Sequence, residues 1–236
     1  NFFVPNQLTS WRVDTFFSKE PETLEWIDGF EKKENLIFWD IGANIGLYSI
    51  YNSLKNPNSI NFAFEPSTSN VRVLTRNISI NNLEKKIIVM PIPLTNKKNT
   101  FQMMKEGNFI EGGALNSFGE KYDFEGKEFE SKMNYTLFGT TINYLIENSI
   151  LEIPDYIKID VDGIEHLILD GGNKFLNDKK IKSMLIEINE NFEEQYEKVL
   201  SFMKQYNFKI LYKKQNIDNL SPENKFINTY NYIFTR

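Results

Sequence analysis

Cysteine is absent from this chain of 236 residues, and histidine occurs once, at position 166. Without thiols there is no disulfide, no thiolate zinc site, no iron–sulfur cluster and no cysteine nucleophile. The single His166 excludes multi-histidine metal sites and leaves one way to build a serine–histidine–acid triad. Any chemistry must therefore use carboxylates, amides, hydroxyls, this imidazole or a bound cofactor.

Long apolar runs and an excess of positive charge are also missing. No stretch is apolar for long enough to span a bilayer, and no signal peptide opens the sequence, so we expect a cytoplasmic protein. The formal net charge of -5 disfavours a nucleic-acid partner, because phosphate binding normally needs a basic surface. The length and the 41% hydrophobic content fit one α/β domain over residues 1–236.

Short apolar runs alternate with amphipathic stretches along most of the chain. Helical patterns lie between several of the runs, and this alternation predicts a doubly wound, mostly parallel sheet. The last two runs predict an antiparallel C-terminal edge. The seven predicted strands are residues 36–39, 60–64, 87–90, 156–161, 184–188, 208–212 and 230–234.

Two segments depart from this alternation. Residues 1–35 are predicted to form an N-terminal cap, with an amphipathic helix leading into the first strand. Residues 107–139 are rich in glycine, charge and aromatic side chains. We predict that they form an insertion before the fourth strand, which serves as a lid or a substrate wall.

The first predicted strand ends in an acidic residue and a glycine turn, with Asp40, Gly42, Asn44 and Gly46 in sequence. Glycines let the backbone approach a ligand closely, and the helix that follows offers free N–H groups. A nicotinamide-binding turn more often has glycine where Asn44 stands. A carboxylate at Asp40 would repel a pyrophosphate, but it suits the cationic amino acid end of S-adenosylmethionine. Glu65, about 20 residues beyond the turn, is placed to accept both ribose hydroxyl protons. All five are predicted cofactor-binding residues.

Charged residues also interrupt the apolar fourth and fifth strands. Because side chains alternate along a strand, Lys158, Asp160 and Asp162 are predicted to share a face. Lys158 is expected to pair with Asp160 or with Glu187 of the fifth strand, since buried charges need partners. Asp160 and Asp162 lie at the carboxyl end of the sheet, where open α/β sheets bind ligands. Both are predicted catalytic residues.

His166 is the third predicted catalytic residue. It falls in the first turn of the helix after the fourth strand, where the helix dipole would keep the imidazole neutral and able to act as a base. Its alternative role is packing. The carboxylates could instead hold Mg²⁺, but Lys158 would compete for them. We therefore predict general-base catalysis and no metal site.

These motifs together resemble the FkbM-type methyltransferases. The resemblance lies in residues 38–49, 63–81, 157–165 and 185–187, and it covers most of the chain from about residue 19 onward. One departure is Asp162, where the family usually has glutamate. The resemblance implies a class I, Rossmann-like methyltransferase fold. It also implies S-adenosylmethionine-dependent O-methylation, often of sugars in polysaccharides or natural products.

The predicted reaction is in-line displacement at the sulfonium methyl group by a substrate hydroxyl, with a carboxylate or His166 accepting the proton. We expect a small-molecule or saccharide acceptor, for example a precursor of capsule, lipopolysaccharide or a natural product. Two alternatives stay open at this point. One is a nicotinamide-dependent sugar oxidoreductase or epimerase, and the other is a non-catalytic module that binds S-adenosylmethionine.

Overall fold

The chain folds into eight helices and ten strands in a computed structural model that describes residues 1–128, 130–215, 224 and 226–236. Among the helices in these ranges, none is both long enough and apolar enough to cross a membrane. The helices are α1 Gln7–Asp14, α2 Phe16–Lys19, α3 Pro21–Asp28, α4 Leu47–Lys55, α5 Thr68–Ile80, α6 Ile142–Glu147, α7 Glu165–Asp170 and α8 Glu193–Gln205. The strands are β1 Leu36–Ile41, β2 Ser59–Phe64, β3 Ile87–Met90, β4 Thr100–Glu106, β5 Asn116–Phe118, β6 Met133–Gly139, β7 Tyr156–Ile159, β8 Ser183–Asn189, β9 Lys209–Lys214 and β10 Thr229–Thr235.

The main sheet has seven strands in the order β3-β2-β1-β7-β8-β10-β9. The first five strands run parallel to one another, whereas β10 runs antiparallel to both β8 and β9. Every residue of β1 is buried, as expected for a strand that is covered on both faces. The predicted fold, including its antiparallel C-terminal edge, is confirmed.

One face of this sheet is apolar at its amino end and polar at its carboxyl end. Trp26 and Phe30 pack over the apolar part, and the register places Asp40 opposite Lys158, and Lys158 opposite Leu185. Glu187 lies two residues beyond Leu185 and therefore on the same face. The N-terminal helices thus cover an apolar core first and a charged region next to it.

A second sheet has three antiparallel strands in the order β5-β4-β6 and was not predicted. The β4–β6 register runs from Thr100 opposite Gly139 to Glu106 opposite Met133. The added sheet therefore begins before residue 107, the predicted start of the insertion. The connection between β4 and β5 leaves this sheet and crosses to the carboxyl edge of the main sheet.

The fourth parallel strand, β7, ends at Ile159 and not at Val161 as predicted. Asp162 has φ 62° and Gly163 has φ 115°, values that an extended strand does not allow. The alternation used to place Asp162 on the same face as Lys158 was therefore wrong. Asp162 owes its position to a turn.

Candidate functional site

A cavity of about 680 Å³ lies at the carboxyl ends of the parallel strands. Open α/β sheets bind ligands at this edge, and the volume is in the usual range for cofactor sites. The turn after β1 forms one wall, and the N-terminal helices form another. Predicted site residues on its lining are Gly42, Asn44, Glu65, Asp160 and Asp162.

Gly42 has a conformation and a position that no other residue could share. Its φ is 87°, and an added Cβ would lie 1.8 Å from the carbonyl oxygen of Asp160. The amides of Gly42 and Ala43 both donate to the Phe64 carbonyl, at 3.0 and 2.9 Å. The turn is therefore held between β2 and the loop that follows β7, with its backbone open to the cavity.

Asp40 and Gly46 lie beside the cavity but not on its lining. The Oδ2 atom of the fully buried Asp40 accepts hydrogen bonds from the Ser49 amide, at 3.1 Å, and the Ser49 hydroxyl, at 2.6 Å. Gly46, with φ 87°, begins α4, and an added Cβ would lie 2.4 Å from Leu74 Cδ1. Both residues shape the turn, and their role in binding the cofactor stays a prediction.

Glu65 is fixed by two backbone amides. Its Oε2 accepts from the Asn44 amide at 2.8 Å, and its Oε1 accepts from the Ser67 amide at 2.9 Å. Burial raises the pKa of this carboxyl to about 7. Each carboxylate oxygen has a further lone pair, so Glu65 can also accept hydrogen bonds from two ligand hydroxyls.

Residues 112–116 of the β4–β5 connection form a strap over the cofactor turn. The Gly113 carbonyl accepts hydrogen bonds from the side-chain amides of Asn44, at 2.8 Å, and Asn70, at 3.0 Å. The Gly112 amide donates to the Asn70 side chain at 2.8 Å. The strap was not predicted in this detail, because its backbone groups carry no sequence signal. Asn70 appeared in the sequence only as part of the family resemblance.

Asp162 holds the other end of the strap. Its Oδ2 accepts from the amides of Leu115, at 2.7 Å, and Asn116, at 3.2 Å. Burial and the neighbouring charge of Asp160 raise its pKa to about 6. The Asp162 carboxylate therefore fastens the cavity wall as well as facing the cavity.

A buried network of charges continues the cavity toward the N-terminal helices. Lys158 Nζ is 2.6 Å from Asp160 Oδ2, which confirms one of the two predicted pairings, and lies 4.8 Å from the centre of the Tyr48 ring. The Tyr48 hydroxyl donates to Glu20 at 2.7 Å, and Lys19 pairs with Glu20 at 2.7 Å. Burial opposes the charge of Lys158, but Asp160, Asp40 and Glu20 outweigh it and raise its pKa.

His166 was predicted beside the cavity, but the structure places it elsewhere. Ile164 and Ile168 line the cavity, and at 100° per residue His166 falls on the opposite side of α7. The ring is 1% exposed and lies 5.9 Å from the Phe192 ring, centre to centre. Burial and the charge of Lys198 lower its pKa to about 4. The lowered pKa favours the neutral imidazole, and its position gives it a packing role.

Glu165 holds the loop that carries Asp160 and Asp162. Its carboxylate accepts hydrogen bonds from the amides of Val161 and Gly163, at 3.1 Å each, and from the Gln195 side chain. In the sequence, this glutamate lies within residues 157–165 of the family resemblance. By accepting these hydrogen bonds, Glu165 fixes the loop after β7, which forms part of the cavity lining.

The donor and acceptor groups of the cavity fit S-adenosylmethionine. Gly42 gives close access to the backbone, and Glu65 offers acceptors for the paired ribose hydroxyls. The carboxylates of Asp160, Asp162 and Glu187 give the wall a negative potential that suits a sulfonium cation. Across the described ranges, no three histidine, aspartate or glutamate side chains are grouped so that they could hold a metal ion.

Residues 40–210 match the methyltransferase FkbM domain family. Methyltransferase sdnD of Sordaria araneosa is 26% identical over 179 residues, which are 66% of this chain and 68% of that protein. The precorrin-6y C5,15-methyltransferase of Geobacter metallireducens has a similar structure, with a TM-score of 0.51 at 14% identity, covering 100% of this chain and 94% of that one. M. capricolum TrmK, solved with S-adenosyl-homocysteine, has a TM-score of 0.50 at 12% identity, covering 90% of this chain and 66% of that one.

The two structural similarities concern the fold alone, because the identities are low. The match to the family rests on sequence and spans the turn after β1, Glu65, the loop after β7 and β8. It confirms the resemblance found in the motifs and, with it, S-adenosyl-L-methionine as the cofactor. This chain belongs to the FkbM methyltransferase domain family.

Proposed function

We propose that this methyltransferase transfers the methyl group to a hydroxyl of a saccharide or of a natural-product precursor. The observation that carries the proposal is the extension of the cavity past the cofactor turn. This acceptor sector is lined by Trp11, Arg12, Lys19, Tyr48 and Glu187. Its aromatic surfaces suit the apolar faces of a sugar ring, and its charged groups suit hydroxyls.

Cofactor binding is proposed to use the residues at the turn and at the end of β2. The Gly42 backbone and the Glu65 carboxylate would hold the cofactor, with Glu65 accepting from its ribose hydroxyls, and Asn44 holds the strap over the turn. Asp40 and Gly46 act indirectly, because they fix the turn and the start of α4. The predicted cofactor residues thus keep their assignment to this site, with two of them supporting the others.

The bound cofactor supplies a methyl group that is activated by positively charged sulfur. The protein aligns the hydroxyl with that group, excludes water and accepts the hydroxyl proton as the new bond forms. Asp160 and Asp162 were predicted for the last task, and both lie on the cavity wall. His166 is withdrawn from the proposal because of its position.

The absence of a nucleic-acid partner and the cytoplasmic location stay predictions. The first is supported by the net charge of -5 and by the lysines of the cavity, each of which pairs with a carboxylate. A phosphate backbone needs unpaired cations. The acidic balance of the chain therefore favours a neutral or weakly charged acceptor.

The proposal is tested by supplying S-adenosylmethionine with a labelled methyl group and a panel of acceptors. The panel contains methyl glycosides of common hexoses, deoxyhexoses and uronic acids, polyhydroxylated polyketides, and transfer and ribosomal RNA. Mass spectrometry locates the label. We expect it on a hydroxyl of a saccharide or polyketide, whereas label confined to RNA would overturn the proposal.

A further inference from the structure

The cavity wall carries five carboxylates, of which four have partners in the described residues. Glu20 binds Lys19 and Tyr48, Asp160 binds Lys158, and Glu65 and Asp162 each accept from two backbone amides. Glu187 is the fifth. Within the part of the chain that the structure describes, no hydrogen-bond donor or cation contacts its carboxylate.

The position of Glu187 is fixed by the sheet. It lies on β8, where the register pairs it with Asn231 of β10, and Asn231 donates its side-chain amide to Glu22. On the other side, the β7–β8 register places Lys158 opposite Leu185. The register ends with Ile159 opposite Ile186, so Asp160, the first residue after β7, comes next to Glu187 at the carboxyl edge.

The surroundings of Glu187 make it a better proton acceptor than an ordinary carboxylate. Burial, Asp160, Glu20 and Asp162 raise its pKa well above the usual range, against the opposing effect of Lys19. Asn231, the neighbour on β10, is uncharged. A sulfonium cation bound nearby would favour the ionised form, so cofactor binding would prepare the base. General bases in enzymes are tuned in this direction.

Asp160 and Asp162, the two carboxylates predicted as bases, already have partners in the structure. Lys158 holds Asp160 Oδ2 at 2.6 Å, and a paired cation weakens a carboxylate as a base. Asp162 is bound to the strap through Leu115 and Asn116. Protonation of either carboxylate would weaken a contact that shapes the cavity wall, whereas protonation of Glu187 would not.

We propose that Glu187 is the general base that accepts the proton of the acceptor hydroxyl. This inference rests on the proposed function. In the step, the acceptor oxygen forms a bond to the methyl carbon while the carbon–sulfur bond breaks and its electron pair stays on sulfur. The hydroxyl proton moves to the Glu187 carboxylate. The products are a methyl ether, S-adenosylhomocysteine and a neutral Glu187 carboxyl, which later releases its proton to solvent.

The test compares the full-length wild type with Glu187→Gln, Glu187→Asp and a matched control, Glu193→Gln. Glu193 is exposed at the start of α8 and is not on the cavity lining. The acceptor is the panel member that the wild type methylates fastest, and all assays contain EDTA. For Glu187→Gln we expect a kcat lower by about 10²–10⁴-fold, with a much smaller loss of affinity for S-adenosylmethionine, because the carboxylate favours the bound sulfonium only by its charge. Glu187→Asp should recover part of the rate, and Glu193→Gln should match the wild type.

Two further readouts separate a base from a structural residue. The acid limb of the wild-type kcat–pH profile should disappear in Glu187→Gln. The loss of rate should also shrink for a fluorinated acceptor whose hydroxyl is more acidic, because such a hydroxyl depends less on a base. Equal losses for both acceptors would overturn the inference, and so would a kcat for Glu187→Gln within threefold of the wild type.

The proposed function can fail separately. If the wild type methylates a nitrogen, the hydroxyl proposal is wrong, and the same comparison on that acceptor still decides whether Glu187 takes the proton. If EDTA abolishes turnover and Mg²⁺ restores it, the inference is overturned, and Glu187 is to be assigned as a metal ligand.

Discussion

At the residue scale, Gly42 is the position where the fold leaves the least freedom. An alanine Cβ would lie 1.8 Å from the Asp160 carbonyl oxygen, and φ 87° is strained for any L side chain. We expect Gly42→Ala to abolish binding of S-adenosylmethionine, measured by titration calorimetry. Gly29→Ala is the matched control, since its Cβ would lie 3.4 Å from the nearest atom. Normal binding by a folded Gly42→Ala protein would show that the turn is misplaced.

Glu65 offers a second test of the same site, in which a partial loss of cofactor affinity is expected. Replacing it with alanine removes the charged acceptor of the ribose hydroxyls, and we expect a loss of roughly 1–3 kcal/mol in cofactor binding. This corresponds to about a tenfold weakening for each 1.4 kcal/mol. Calorimetry is again the measurement, with the exposed Glu84 changed to alanine as the control. An unchanged dissociation constant in the folded Glu65→Ala protein would remove Glu65 from the site.

The sequence identified the residue types of the site better than it identified their contacts. Gly42 and Glu65 were found because steric demand and strand-end carboxylates leave a local pattern. Asp40 was predicted to bind the cofactor because a carboxylate suits the cationic amino acid end, whereas its hydrogen bonds from Ser49 depend on the geometry of α4, which the sequence does not report. Glu187 could not be singled out, since the absence of a partner is a property of the folded structure.

At the scale of elements, the feature that the sequence predicted least well is the strap, which residues 112–116 form over the cofactor turn. Asp162→Ala should free the Leu115 and Asn116 amides, and their hydrogen exchange should become faster by at least tenfold. Exchange in β1 should stay the same, which serves as the internal control. If exchange of the two amides is unaffected, Asp162 does not hold the strap, and its role as a candidate base would need to be considered again.

Glu165, which holds the loop after β7, should make the stability of the protein depend on pH. Burial raises the pKa of Glu165 from 4.5 to about 7, so the folded state binds this proton more tightly than the unfolded state. The contribution to stability is complete below pH 4.5 and is lost as the pH rises through 7. In Glu165→Gln, the fall in the free energy of unfolding between these pH values should therefore be smaller by on the order of 3 kcal/mol. Urea titrations at several pH values measure how the free energy of unfolding changes with pH. An equal change in the wild type and in Glu165→Gln would contradict the assignment.

The strands of the main sheet were predictable because each contains a short apolar run, although β9 at the edge is largely exposed. The strands β4, β5 and β6 were missed, because most of their residues are partly buried or exposed, and apolar residues such as Phe101 and Phe138 lie on the exposed face. The end of β7 was also missed. Asp162 adopts a positive φ there because its carboxylate binds the strap, and a local pattern cannot report a partner about 46 residues away.

At the scale of the whole molecule, the N-terminal helices and the three-stranded sheet both converge on one edge of the main sheet. Arg12 of α1 donates to the Gly112 carbonyl at 2.6 Å, so the cap and the strap touch each other above the cavity. Coverage from two sides reduces the contact of the carboxylates with solvent and strengthens their electrostatic effects. The N-terminal helices and the strap thus form two walls of the cavity at the carboxyl edge of the main sheet.

The central claim is that this cavity transfers a methyl group from S-adenosylmethionine to oxygen. The most direct measurement is carbon-13 NMR of the product formed from cofactor labelled in its methyl group, because the chemical shift distinguishes a methyl ether from a methyl group on nitrogen or carbon. Our account predicts a methyl ether signal that requires the wild-type protein and is absent with Gly42→Ala. A labelled methyl group on nitrogen or carbon, or a signal equally strong with Gly42→Ala, would contradict it.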